Sequence, residues 1–149
     1  MSAGEYCNRD VVVVSKTEPV QQAITLMRNH HVGDVVVVEQ AKHGVIPVGI
    51  LTDRDIVLEI LAEDVDLNTV SIGDVMSYEL VTVNESTTLI DTLKLMRQKG
   101  IRRIPVVNEK GTLEGLLSVD DLLELLAEQL NDLVALISKE QSSESRRRK

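Results

Sequence analysis

Short β-branched runs alternate along this chain with stretches of helical spacing. Val11-Val12-Val13-Val14 reads as a buried strand. Ser15-Lys16-Thr17-Glu18-Pro19 ends it and opens a helix, with Thr17 as the expected N-cap and Pro19 in the first turn, where a missing N–H costs nothing. Val20, Ala23, Ile24 and Met27 recur at helical spacing, so the helix is amphipathic and ends near His30 or His31. Val35 to Val38 predicts a second strand, Glu39 to Gly44 a polar loop, Val48 to Leu51 a third strand, and Asp53 to about Leu61 a helix. Residues 1–6 show no period and read as a mobile lead-in.

After an acidic, polar connector the pattern begins again at Gly73-Asp74-Val75-Met76. Val81 to Val83 predicts a strand, Ser86 an N-cap, Thr87 to Lys99 a helix stopped by Gly100, Ile104 to Val107 and Leu113 to Leu117 two strands around the turn Asn108 to Gly111, and Val119 the start of a further helix. Met27 and Met96, Val14 and Val83, and Thr17 and Ser86 are each 69 residues apart, whereas Gly49 and Gly115, and Thr52 and Ser118, are 66 apart. The three-residue difference falls between the second and third strands, where a loop tolerates it. The chain is thus a tandem β-α-β-β-α repeat of α/β (α+β) class, its two pseudo-symmetric units expected to pack sheet to sheet. Residues 5–62 form the first, 63–72 the linker, 73–128 the second, and 129–149 a C-terminal helix extension with a disordered basic tail. Leu123, Leu126, Leu130, Leu133 and Ile137 continue a heptad seam beyond the repeat, which predicts a homodimer through this helix.

Composition narrows the chemistry. At 149 residues and 43% hydrophobic content the chain can build a core, and with no Phe, no Trp and two Tyr that core is aliphatic. Aromatic platforms for single-stranded nucleic acid are excluded, and a net charge of -8 argues against a general phosphate-backbone binder. One cysteine rules out an internal disulfide, and no signal peptide or long apolar run is visible, so a soluble cytoplasmic protein with no membrane partner is expected. His30, His31 and His43 read as a helix end and a turn, with no metal site.

Gly49-Ile50-Leu51-Thr52-Asp53-Arg54-Asp55 is echoed by Gly115-Leu116-Leu117-Ser118-Val119-Asp120-Asp121. Hydroxyl and acid three residues apart form a capping box, and that alone explains either copy. Each copy also follows a strand, so a helix N-terminus opens at a sheet edge, where free amides attract an anion. Gly100-Ile101-Arg102-Arg103-Ile104-Pro105 adds two cations and an apolar step. Hydroxyl, diol acceptor, cation and apolar slot together describe a nucleotide.

With Gly73-Asp74-Val75-Met76, the Gly100 to Val107 run and the two Gly-x-x-Thr/Ser-x-x-Asp turns, residues 5–127 resemble a pair of CBS domains, the tandem modules named after cystathionine β-synthase. The resemblance implies two clefts between the halves for adenosyl ligands: AMP, ADP, ATP, S-adenosylmethionine or NAD. It implies that Ser118 and Thr52 contact ribose or phosphate and that Asp121 and Asp55 hold the ribose diol. By the same resemblance Ile104 and Pro105 line an adenine slot, Arg102 or Arg103 meets phosphate, and Arg54 adds a second cation. The first repeat carries Gly33, Asp34 and Val36 opposite Arg102, Arg103 and Pro105, so the second-repeat site is expected to bind a phosphorylated adenosine more tightly. Cys7 stands in the place of Met76 and reads as core.

The leading expectation is a regulatory module that senses energy state through AMP, ADP or ATP for a partner protein on another chain, with no obligatory cofactor. The alternative is a dimerising scaffold whose turns are caps alone. No nucleophile, general base or P-loop accompanies the turns, so an enzyme is not expected. Magnesium would accompany a polyphosphate ligand only, since no protein ligand set demands it.

Overall fold

The structure, a computed structural model, describes residues 1–147. It divides into a first unit, Met1–Leu117, and a second that begins at Ser118. The first unit holds α1 (Ala3–Tyr6), β1 (Val13–Val14), α2 (Val20–His30), β2 (Asp34–Ala41), β3 (Gly44–Thr52), α3 (Asp53–Ile56), α4 (Ile72–Val75), β4 (Val83–Asn84), α5 (Leu89–Lys99) and β5 (Arg103–Val107). β6 (Leu113–Ser118) leads out of it into α6 (Val119–Arg147). A π-helical turn, Val57–Leu61, prolongs α3, and a 3-10 turn, Leu67–Thr69, sits in the connector.

Two three-stranded sheets result, ordered β1-β2-β3 and β4-β5-β6. In both, a two-residue first strand runs parallel to the central one: Val14 pairs Val37 and Val83 pairs Val106, again 69 residues on. Central strands have both faces covered, which is why Val35, Val36 and Val37 form an unbroken buried run.

Sequence pattern and structure differ at several ends. Glu39 to Gly44, expected as a loop, is mostly strand: β2 and β3 form one long hairpin closed at Ala41 and Gly44, and Gly44 takes φ +130, which a side chain would resist. The helix N-caps are Pro19 and Thr88 in place of Thr17 and Ser86. Thr88 accepts the Asp91 N–H at 3.1 Å, while Pro19 has no side-chain bond to offer. His31, in left-handed backbone, ends α2 by donating its N–H to the Met27 carbonyl. The expected disordered tail is helical through Arg147, and Arg148 and Lys149 lie outside the described residues.

The first residues are no loose lead-in. Ser2 caps α1, and this segment docks on the second repeat: Ala3 N–H donates to Thr87 O at 2.8 Å, Gly4 N–H to Glu85 O at 2.9 Å, and Asn8 exchanges two bonds with Leu116 at 2.9 Å. The segment between the repeats docks on the first by the same bonds: Ile72 N–H to Glu18 O at 2.9 Å, Gly73 N–H to Lys16 O at 2.8 Å, and Ser77 with Ile50. Ile72 and Met76 consequently complete the first repeat's core with Val14, Val20, Val35, Leu51 and Ile60. Each sheet is finished by the segment that precedes the other repeat. These bonds join residues 27 to 108 positions apart, so no local pattern announces them.

Candidate functional site

Thr52 ends β3 and caps α3. Its Oγ1 accepts the Asp55 N–H at 3.0 Å, and Asp55 Oδ2 accepts the Thr52 N–H at 2.9 Å. The geometry satisfies two orphan donors at once and fixes both side chains at the strand-to-helix corner. Among the described residues Asp55 Oδ1 takes no hydrogen bond, and the Thr52 hydroxyl hydrogen is left to donate.

This corner faces the second repeat across a cavity of about 250 Å³. Thr52, Asp55 and Ile50 line one side; Ser77, Glu79, Leu80 and Val81 come from the exchanged segment, and Ile101, Arg102 and Arg103 from the approach to β5. Two acids and two arginines thus meet an apolar wall of Ile50, Leu80, Val81 and Ile101. The cavity sets the arginines of one repeat opposite the hydroxyl and acid of the other. The sequence comparison had grouped them with Ser118 and Asp121 of their own repeat.

Arg103 is already engaged. Its Nε lies 2.7 Å from Asp34 Oδ2, and the Asp34 side chain is only 17% exposed. The two positions are 69 apart and therefore equivalent in the two repeats, so the ion pair marks where the repeats meet about their pseudo-two-fold. Burial raises the Asp34 carboxyl above the usual carboxylate range; the Arg103 charge pulls it back and Asp53 pushes it further up. The acid that sequence comparison placed in a weakened first-repeat site is, in the fold, the counter-ion of an arginine from the second.

Other expected site residues fall elsewhere. Ile104 and Pro105 are fully buried in central strand β5, because the strand is covered on both faces, and so neither lines the cavity. Arg54 is exposed on α3, outside the cavity lining. Ser118 and Asp121 open α6 with a box of their own: Ser118 N–H and Oγ–H donate to Asp121 Oδ2 at 3.0 Å, and Asp121 N–H returns a bond to Ser118 Oγ at 3.2 Å. Cys7 is half-buried and burial pushes its thiol pKa up, as expected of a packing residue with little thiolate character.

Sequence reasoning missed Ser77, Glu79, Leu80 and Val81, which read as connector and strand start. It also missed a further box, Ser71 with Asp74, whose Oδ2 accepts the Ser71 N–H at 2.9 Å. The Ser-x-x-Asp spacing was legible there. Among the described residues no group of three or more His, Cys, Asp or Glu is placed to hold a metal ion, and no helix is long and apolar enough to cross a membrane.

The CBS domain profile matches residues 3–62 and 72–128. The chain belongs to the CBS domain family. The CBS domain-containing protein YhcV of Bacillus subtilis is 43% identical over 121 residues, covering 81% of this chain and 82% of YhcV. Protein MK0525 of Methanopyrus kandleri is 36% identical over 125 residues, covering 84% of this chain; the chain spans 62% of the length of that relative. In fold, this CBS pair resembles the CBS domain pair of protein MJ0100, solved in complex with methylthioadenosine and S-adenosyl-L-methionine, with a TM-score of 0.74 over 87% of this chain and 98% of the other at 19% identity.

Proposed function

We propose that this CBS pair is a regulatory module that binds an adenosyl small molecule in the cavity beside Thr52 and Asp55 and transmits its occupancy to another protein. One observation carries the reading: a hydroxyl and an acid fixed by one repeat face two arginines from the other across a partly apolar cavity. Asp55 Oδ1 accepts from the ribose diol, and Thr52 Oγ1 donates to ribose or phosphate. Adenine lies on Ile50, Leu80, Val81 and Ile101, and Arg102 meets the phosphate. Ser118 and Asp121 carry the same box and are the second proposed contact pair.

Charge selects within the adenosyl class. The lining acids Asp55 and Glu79 balance Arg102 and Arg103, and Asp34 stands behind Arg103. A triphosphate meets too little positive charge here, so AMP, or an uncharged or sulfonium adenosyl compound, is preferred over ATP. The fold likeness to the MJ0100 pair, which holds sulfur-bearing adenosyl ligands, is compatible with that preference.

A second reading, a scaffold whose turns only cap helices, is favoured by one feature: the Ser71–Asp74 box has the same geometry without lining this cavity. Calorimetric titration of AMP, ADP, ATP, NAD and S-adenosylmethionine into wild type, Asp55→Ala and Asp121→Ala separates the two. The expected result is micromolar binding of at least one compound, weakened at least about tenfold by Asp55→Ala. Absence of binding by all five, or binding indifferent to both substitutions, selects the scaffold.

A further inference from the structure

Arg103 lines the cavity, while the acid that holds it stands outside the lining. Asp34 opens β2 and lies opposite Thr52 in the β2–β3 register, and the Gly33 carbonyl beside it accepts the Asp53 N–H at 2.9 Å. The two strands that set Thr52 at its corner therefore also set the Asp34 backbone. Asp34 Oδ2 lies 2.7 Å from Arg103 Nε, with 17% of the Asp34 side chain and 31% of the Arg103 side chain exposed. At this depth water and salt screen the pair less than they would at the surface.

A guanidinium grips a phosphate best through two parallel N–H donors, and the Nε of Arg103 already lies against a carboxylate. Phosphate and Asp34 thus compete for one side chain. A phosphate that drew Arg103 away would leave the Asp34 carboxylate, mostly buried, without its counter-charge. A phosphate that left the pair intact would meet a cation whose charge Asp34 largely offsets. Either way Asp34 weakens phosphate binding, and a ligand without phosphate escapes both costs.

We propose that Asp34, acting through Arg103, sets this site's choice between phosphorylated and unphosphorylated adenosyl ligands. The inference rests on the reading of the cavity as an adenosyl site, and it assigns the discrimination to a residue outside the lining. Asp34 and Arg103 are equivalent positions 69 residues apart, so one duplicated position supplies the cation in one repeat and the acid that restrains it in the other.

Calorimetric titration of AMP and of uncharged methylthioadenosine into wild type and substituted chains tests this. Asp34→Asn, with Asp34→Ser as a second removal of the charge, should tighten AMP relative to methylthioadenosine about fivefold. Asp34→Glu, which keeps the acid, should leave the ratio of the two Kd values as in wild type. In the chain carrying both Asp34→Asn and Arg103→Gln the gain should vanish. An ion pair that only fastened the repeats would move both ligands together or neither. A ratio unchanged in both charge-removing variants, or a gain that survives the loss of Arg103, would overturn the proposal and leave the adenosyl site standing. Failure of both compounds to bind any of these chains would overturn the adenosyl reading and the proposal with it.

Discussion

The two repeats receive each other's leading segments through equivalent backbone bonds but over different side chains. Gly49 lies beneath Met76 and Ser77, and Gly115 beneath Cys7 and Asn8. A Cβ on Gly49 would stand 2.8 Å from Met76 Sδ and 2.8 Å from Ser77 O; on Gly115 it would stand 2.5 Å from Cys7 Sγ and 2.8 Å from Asn8 O. Main-chain geometry is thus held in both halves, while the packing residue alternates between a flexible thioether and a compact thiol. The approaches to the central strands diverge more: Gly33-Asp34 in one repeat, Arg102-Arg103 in the other. The docking bonds are common to both halves, and the side chains around the cavity, under the docked segments and at the helix caps differ.

The largest expected effect comes from closing the gap under the docked segments. Gly49→Ala and Gly115→Ala should each cost about 3 kcal/mol in urea unfolding, because a backbone carbonyl cannot move aside as a side-chain tip can. The Gly49 site should relax more, through Met76. Equal costs at both sites would show that the carbonyl contacts dominate, and a cost near zero at either would break the matched-docking picture.

Next in size, Arg102→Ala should weaken a phosphorylated adenosyl ligand about tenfold, roughly 1.4 kcal/mol, while leaving binding of an unphosphorylated one nearly unchanged. Equal losses for both ligands would remove phosphate recognition from this residue. Smaller again, Thr88→Ala should cost about 1 kcal/mol by deleting the α5 cap, a loss that has no counterpart at Pro19 of α2.

The smallest effect is expected at Asp34. Burial raises its folded pKa above the ordinary 3.8, so the folded protein holds the proton more readily than the unfolded chain. Wild type therefore loses stability as pH rises through the raised value, and the deficit disappears below 3.8, where both states are protonated. Asp34→Asn should be slightly the more stable at neutral pH, with the difference closing on acidification in thermal melts. A difference that widens in acid would reverse the sign of the Asp34 shift. The same substitution releases Arg103 and should tighten a phosphorylated ligand several-fold.

Much of this was legible in the sequence. The 69- and 66-residue offsets located both repeats, and the Gly-x-x-Thr-x-x-Asp turn located the capping box, because period and cap are local properties. The grouping of Arg102 and Arg103 with Thr52 was not, since these residues lie about 50 positions apart and meet only at the folded cavity. The resemblance places Ile104 and Pro105 in an adenine slot, and burial on both faces of β5, a long-range property, was not legible at those positions. The Glu39 to Gly44 hairpin was hidden by its polar residues, which suit an exposed strand end as well as a loop.

The exchanged segments bear on how such a chain comes to exist. A polypeptide holding a single repeat would have its docking segment and its docking groove but could join them in this way only with a second molecule, at a cost that depends on concentration. Placing two repeats on one chain makes the encounter intramolecular, at an effective concentration set by the connector. Duplication of such a unit therefore does more than add a second site: it converts an association that dilution can undo into one that dilution cannot reach.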